Sequence, residues 1–457
     1  MQDCEVIVRL LRAVLLVTLG YGFSGEAWGQ AFYYEQLVLE SSDRFDVDMF
    51  GESVSVWNGL VVVGAPRGGD LYRSGAAYIF DADSGEELAR LIPDDAMIGD
   101  HFGYSVDIKD GLIAVGASRK NEAGIDSGAV YLFDSYSGVQ VLKLAPDDGE
   151  AEDWFGFPVA LGDGIVAVGA YNDDDNGENS GSVYVFDSNT GQQLVKLLAE
   201  DGEADDLFGV SISVDDGIVA VGAMLEDVYG SDSGSAYLFQ ADTGEQIAKL
   251  IPGPGGGGSH FGRSIGVDDG IVVVGAPNYG LGGEIYLFDS ISGEEIVRMQ
   301  PYQFVQGNEA FGVSVSLSAG MIVVGATNSA QNQIQSGVVY VASLIQEVTY
   351  GVLLPSDGEH RDYFGPVIDI DGGVVVSTKP IYIENGYEHS GLVYVYTSLE
   401  NQCPADVNQN REYDLNDVLH FESLMLYRYP NADINEDGML DFFDISLFLT
   451  AFSAGCP

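Results

Sequence analysis

HFGYSVDIKDGLIAVGASRKNEAGIDSGAVYLFD, residues 101–134, is the stretch that decides the fold. It holds three short β-like runs, "GYSVDI", "LIAVGA" and "AVYLFD", and "VQVLKLAP" follows as a fourth. Asp110-Gly111 joins the first two, a dipeptide that supplies the positive φ angles of a tight hairpin. Working outward, its Phe-Gly pair recurs at Phe50, Phe102, Phe155, Phe208, Phe261, Phe311 and Phe364, at intervals of 52, 53, 53, 53, 50 and 53 residues. Fourteen residues after each of the first six comes a Gly-Ala pair, from Gly64 to Gly325; the seventh copy has Thr378-Lys379. A Ser-Gly or Gly-Gly step then opens an aromatic strand, as in "SGSVYVFD" and "SGLVYVYT".

Four antiparallel strands repeated seven times, with no helical period between them, predict a mainly β fold, a seven-bladed β-propeller. About 53 residues per unit is too few for seven independent cores. The last unit stops after its third strand, while a surplus strand, "YEQLVLE" at Tyr34 to Glu40, precedes the first Phe-Gly. The expectation is that residues 34–40 complete the seventh blade of a domain spanning 32–398.

These residues resemble the FG-GAP repeats of integrin α-type propellers. The resemblance implies a recognition platform that uses the face carrying connections 2–3 and 4–1. One departure matters: the family's calcium-binding repeats carry "DxDxDG" between strands one and two, and here that connection is a two-residue turn, so those sites are not carried over. A separate acidic loop, "YNDDDNGENSG", lies between strands two and three of the third unit, and Asn172, Asp174 and Asn176 are its candidate weak cation ligands.

The chain has 457 residues and a formal net charge of −53, which repels phosphate backbones and excludes nucleic acid as a partner. Its 46% hydrophobic content excludes disorder. Carboxylates crowd the loops entering the third and fourth Phe-Gly pairs, where solvation is the simpler reading and a basic or cationic partner the sharper one. The Asp or Glu two residues before six of the Phe residues recurs too regularly for one active site. It is expected to fix a turn by accepting backbone N–H bonds. No "GxSxG" or "HExxH" stretch occurs, and no catalytic residue is assigned.

At the amino end, Arg9 and Arg12 precede an apolar run from Ala13 to Leu19, and Ala27-Trp28-Gly29 forms a small-x-small step. Residues 1–29 read as a secretory signal peptide, with no spanning segment after cleavage. At the other end, "DVNQNREYDLND" and "DINEDGMLDFFD" start 27 residues apart. Oxygen donors stand at loop positions 1, 3, 5, 9 and 12: Asp406, Asn408, Asn410, Asp414 and Asp417, then Asp433, Asn435, Asp437, Asp441 and Asp444. The position-7 carbonyls of Glu412 and Met439 would add a ligand each, giving two Ca2+ sites, the second stronger because Gly438 makes its turn.

This duplicated pattern resembles the GC-type dockerin-like module, over residues 403–457, with small α-helices after each loop. The resemblance implies a Cys403–Cys456 disulfide and attachment to a cohesin-like or other envelope protein. Together the two resemblances imply a secreted or surface recognition and adhesion protein with a protein or glycan ligand on the long-loop face. The alternative is a carbohydrate-active enzyme or accessory subunit of a polysaccharide-degrading assembly.

Overall fold

The computed structural model describes residues 33–42, 48–69, 73–253, 256–280, 282–300, 309–329, 336–344, 350–358, 362–380, 383–384, 387–388 and 391–398. The expected signal peptide and the expected calcium module lie outside the described residues. By compactness the chain divides into residues 1–31 with 35–396 and residues 32–34 with 397–457. In the second unit only strand ends are described.

Seven four-stranded antiparallel sheets follow one another in chain order. The second is Phe102–Lys109, Leu112–Ala117, Ala129–Asp134 and Gln140–Leu144. Its neighbours occupy residues 53–91, 159–197, 208–250, 264–299 and 311–353. The seventh is assembled from both ends of the repeat region: Ile368–Asp371, Val374–Lys379 and Leu392–Ser398, with Tyr33–Leu39 as its outer strand. A two-stranded hairpin, Ile383–Glu384 with Tyr387–Glu388, is inserted in that blade. No helix among the described residues is long and apolar enough to cross a membrane.

Local chemistry explains each blade. The turns between strands one and two carry positive φ at both residues, as at Asp110 (53°) and Gly111 (81°), which is the geometry a right-twisted two-residue hairpin needs. The turns between strands three and four are closed by side chains: Asp134 Oδ1 accepts bonds from the Ser137 N–H and hydroxyl at 2.8 and 2.7 Å. The second and third strands are almost fully buried, so they read as continuous apolar runs. The apolar core is a series of clusters that each join neighbouring blades, as where Ala114 and Val130 of the second blade meet Val159 and Val168 of the third.

The Phe-Gly pair is the seam between blades. Every Phe is buried and meets the third-strand Tyr of its own unit edge-to-face, at 5.2–5.7 Å between ring centroids. The Gly carbonyl reaches back to the preceding blade. There it accepts the Ser hydroxyl of that blade's own Phe-Gly-x-Ser step, at 2.6–3.1 Å in five seams. It also lies where a Cβ on the preceding blade's Gly-Ala glycine would stand, 1.9 Å away at Gly116 and 2.0 Å at Gly64, Gly222 and Gly325.

Around the axis, the inward positions of the first strands include Ser55, Asp107, Ser316 and Asp369. Ser55 Oγ lies 2.9 Å from both Asp107 Oδ1 and Asp369 Oδ2, and the Ser316 hydroxyl donates to Asp369 Oδ1 at 2.7 Å. A hydroxyl has one proton to give, so the second of the Ser55 contacts requires a protonated carboxyl. Burial accordingly pushes Asp369 up to about 6 despite its N–H and hydroxyl donors, and pushes Asp107 up as well.

Candidate binding face

Connections 2–3 and 4–1 emerge on one face of the disc, opposite the tight turns. The acidic residues two before the Phe are buried there, and they do hold turns. Asp100, Asp153 and Asp206 accept the backbone N–H of Met97, Glu150 and Glu203 at 2.7, 2.6 and 2.8 Å.

The residue immediately before each Phe has a different character. Met49, His101, Trp154, Leu207, His260, Ala310 and Tyr363 all have φ between 51° and 61°. That backbone suits glycine and strains other side chains by about 1–2 kcal/mol. None of the seven is glycine, although the next-but-one residue, the Gly of Phe-Gly, always is. The frame therefore holds six kinds of side chain, histidine twice, in one shared, strained position.

Blades two, three and four share an ionic unit on this face. The fourth-strand lysine lies opposite the third-strand tyrosine, as Lys196 does opposite Tyr184, and its ammonium stands over that ring at 4.8–5.6 Å. Lys143 binds Asp95 at 2.8 Å and also Glu122. Lys196 binds Asp148 and Asp173 at 3.0 Å each, and Asp175. Lys249 binds Asp201 and Glu226 at 2.6 and 2.9 Å. The tyrosine hydroxyl donates to the same carboxylates, Tyr131 to Asp95 at 2.6 Å and Tyr184 to Asp173 at 2.8 Å. Burial opposes ionisation of Asp95, Asp148 and Asp201, but the lysine and tyrosine donors outweigh it and hold all three below the usual carboxylate range. Each tyrosine, buried beside carboxylates, is pushed far up.

The units differ at one position, three residues after the Gly-Ala alanine. Blade two has Lys120 there, buried and paired with Asp100 at 2.9 Å. Blades three and four have Asp173 and Glu226. Lacking a directly paired lysine, and with Lys196 and Lys249 acting only at a distance, Asp153 and Asp206 are pushed up to about 6, first by burial and then by those neighbouring carboxylates.

The three candidate cation ligands of the third unit make separate bonds. Asp174 Oδ1 accepts the Asn179 N–H at 2.7 Å, the Asn176 side-chain amide donates to the Ala199 carbonyl at 3.4 Å, and Asn172 is half-buried beside them in sequence. Among the described residues no group of three or more His, Cys, Asp or Glu side chains is arranged to hold a metal ion. A pocket of about 460 Å³ opens in blade four, lined by Asp201, Glu203, Asp206, Glu226, Asp227 and Asp232 among others. The twelve residues from Asp406 to Asp444 assigned to calcium, with Cys403 and Cys456, lie outside the described residues.

Sequence reasoning missed the aromatic cluster contributed by blades two and three. His101 stacks on Tyr104 (6.3 Å, 4° between planes), Tyr104 meets Phe157 at 4.9 Å, Phe157 meets Tyr171 at 5.6 Å, and Tyr171 meets Trp154 at 5.7 Å. Arg119 lies over the Trp154 ring at 5.1 Å. His101 is held down to about 4 by burial and by the guanidinium groups of Arg119, Arg67 and Arg73. Glu52, buried near Arg67, is pushed up to about 7. The signal that would have found this cluster is the pair of positions flanking Phe-Gly, His101 with Tyr104 and Trp154 with Phe157, fifty-three residues apart.

The FG-GAP repeat family matches residues 33–80, 86–133, 139–186, 192–239, 245–288 and 305–342, more than half of the chain. Each matched stretch runs from one blade's outer strand into the next blade. No curated protein matches the chain. Among solved structures it is similar to that of the computationally designed Ika8 protein, 16% identical, with a TM-score of 0.45 over 79% of this chain and 99% of that one. From its six matched repeats and the seven sheets they build, the chain belongs to the FG-GAP repeat family and folds as a seven-bladed β-propeller.

Proposed function

We propose that this is a secreted or surface-held, non-catalytic recognition protein that meets its partner on the long-loop face and is attached through residues 403–457 by calcium. The observation that carries the recognition half is the asymmetry of the disc. One face consists of two-residue and Asp-closed turns, while the other holds seven strained side chains of six kinds and loops of about ten residues, and binding residues concentrate on such scaffold-held loops. FG-GAP repeats are typical of extracellular or surface proteins. The attachment half rests on the two in-register carboxylate loops of the sequence, whose alternate oxygen donors suit a hard cation.

The test is retention of the full chain by an envelope fraction of the source cells, in calcium and after EDTA, beside the double variant Asp433→Ala/Asp437→Ala. Retention in calcium, release by EDTA and loss in the variant are expected. Retention indifferent to both EDTA and the variant overturns the attachment half. Cleavage of a polysaccharide by the purified chain overturns the non-catalytic half.

A further inference from the structure

All six lysines of this chain are paired with carboxylates, at distances up to 3.2 Å in their closest pairs. That is the expected state of a cation in a protein with 71 acidic residues. Among the described residues three arginines depart from it: the Arg263 guanidinium contacts only Met224 Sδ, at 3.6 Å, and the other two lie together. Among the described residues Arg119 has no carboxylate within ion-pair distance and lies against Trp154; Arg67 likewise has none, and its buried Nε has no hydrogen-bond partner. Both lie within electrostatic reach of His101 and Tyr104, so they flank one aromatic cluster. Arg73 adds a third guanidinium near His101. Of the acids nearby, Glu52 lies within electrostatic reach of Arg67 and Tyr104 but burial pushes it up to about 7, and Asp100 is paired with Lys120.

The cluster itself is half-buried rather than sealed: Tyr104, Trp154, Phe157 and Tyr171 each keep part of their surface in solvent. Trp154 and His101 are held there at left-handed φ, a cost that glycine at those positions would have removed. Half-exposed ring surface beside the Arg119 and Arg67 guanidinium groups defines a ligand with two properties. It must offer a flat C–H face to the rings and a planar anion to the arginine fork. A neutral sugar satisfies only the first property, and an acidic peptide, whose carboxylates stand on short flexible stems, satisfies only the second.

We propose that the mouth of the long-loop face at blades one to three binds a uronate residue of an acidic polysaccharide, its pyranose ring on Trp154 and Tyr171 and its carboxylate on Arg119 and Arg67. This deepens the recognition reading above and rests on it. Guanidinium groups gather at this mouth, while the loops of blades three and four beyond it carry the carboxylate clusters, so the site takes a short stretch of the polyanion and those loops repel the rest.

The experiment is calorimetric titration of the full chain with short oligosaccharides of polygalacturonate, alginate and hyaluronan, with methyl-esterified polygalacturonate and poly-glutamate as controls. Binding of at least one uronate is expected, abolished by methyl esterification. Trp154→Ala and Arg119→Gln should each weaken it about tenfold, with Asp227→Asn unchanged. Urea midpoints check that the variants fold, and Arg119→Gln, a half-exposed side chain, keeps the test open if Trp154→Ala does not. The proposal is overturned if none of the three uronates binds, if the methyl ester or poly-glutamate binds as tightly, or if Arg119→Gln binds like the parent chain. Should Arg119→Gln still be retained by the envelope fraction while no uronate binds, this site falls and the recognition reading stands. Should the parent chain not be retained at all, it is that reading which falls.

Discussion

Replacing Gly116 by alanine should open the seam between blades two and three. Gly116 is not in the left-handed region, so the backbone itself accepts alanine and the effect is steric. A Cβ built there stands 1.9 Å from the Gly156 carbonyl oxygen and 2.4 Å from Ser105 Oγ. Real Cβ contacts essentially never fall below 3.0 Å, so the seam must part by about 1.1 Å. The obstacle is backbone and cannot swing aside. Parting the strands breaks the 2.6 Å bond from the Ser105 hydroxyl to Gly156 O, a loss of about 1 kcal/mol. Strain and loosened packing in a close-packed interior add about 1–3 kcal/mol, giving about 2–4 kcal/mol in all. The control is Gly257→Ala, also outside the left-handed region, whose nearest neighbour would be 3.8 Å away; it should change stability by no more than about 0.5 kcal/mol. Urea unfolding followed by tryptophan fluorescence reads both, since Trp154 belongs to the blade that is displaced. Equal midpoints for the two variants would refute the close approach on which the blade packing rests.

The lysine units and the buried acids make further claims. Lys196→Met leaves Asp173 buried beside Asp153 with no cation. With discounting for its two half-exposed partners, it should cost about 2 kcal/mol in urea unfolding at pH 7; no loss would show the unit to be ornamental. Asp153, Asp206 and Asp369 have folded pKa values raised to about 6, above their unfolded range, so the folded state binds protons that the unfolded state does not. Their contribution is complete below about pH 4 and is lost as pH rises through 6, so stability should rise on acidification from pH 8 to 5. Asp153→Asn should flatten that rise and the exposed Asp242→Asn should not; an equal response from both would assign it to general charge repulsion.

The blades were legible because the Phe-Gly, Gly-Ala and Ser-Gly steps stay in phase, and a seam needs those residue types. Only glycine fits where a Cβ would stand 1.9–2.1 Å from a neighbouring carbonyl oxygen, as at Gly64, Gly116 and Gly275. Counting strands left one missing after "LVYVYTS" and one surplus at its start, and the sheet order pairs them. The acidic loops were read as solvated surface or a cation patch because their counter-ions are distant in sequence. Lys196 lies 48 residues from Asp148 and 21 from Asp175, on a strand whose register shifts at Val185/Phe186. The aromatic cluster was invisible for a similar reason. Its members come from two blades and from both strand and loop positions, His101 and Trp154 fifty-three residues apart, so only the closing of the blades around one axis brings them together.

The central claim is that recognition belongs to the long-loop face, and a steric block on each side of one blade tests it. A small folded domain is inserted into the full chain after Ala123, in the 2–3 loop of blade two, or after Tyr136, in its 3–4 turn; both sites are exposed and such loop tips tolerate insertion. Binding of each to the envelope fraction or to the uronate oligosaccharide is then compared with the parent chain. The insertion after Ala123 is predicted to abolish binding and the one after Tyr136 to leave it intact; loss at Tyr136 with retention at Ala123 would contradict the assignment.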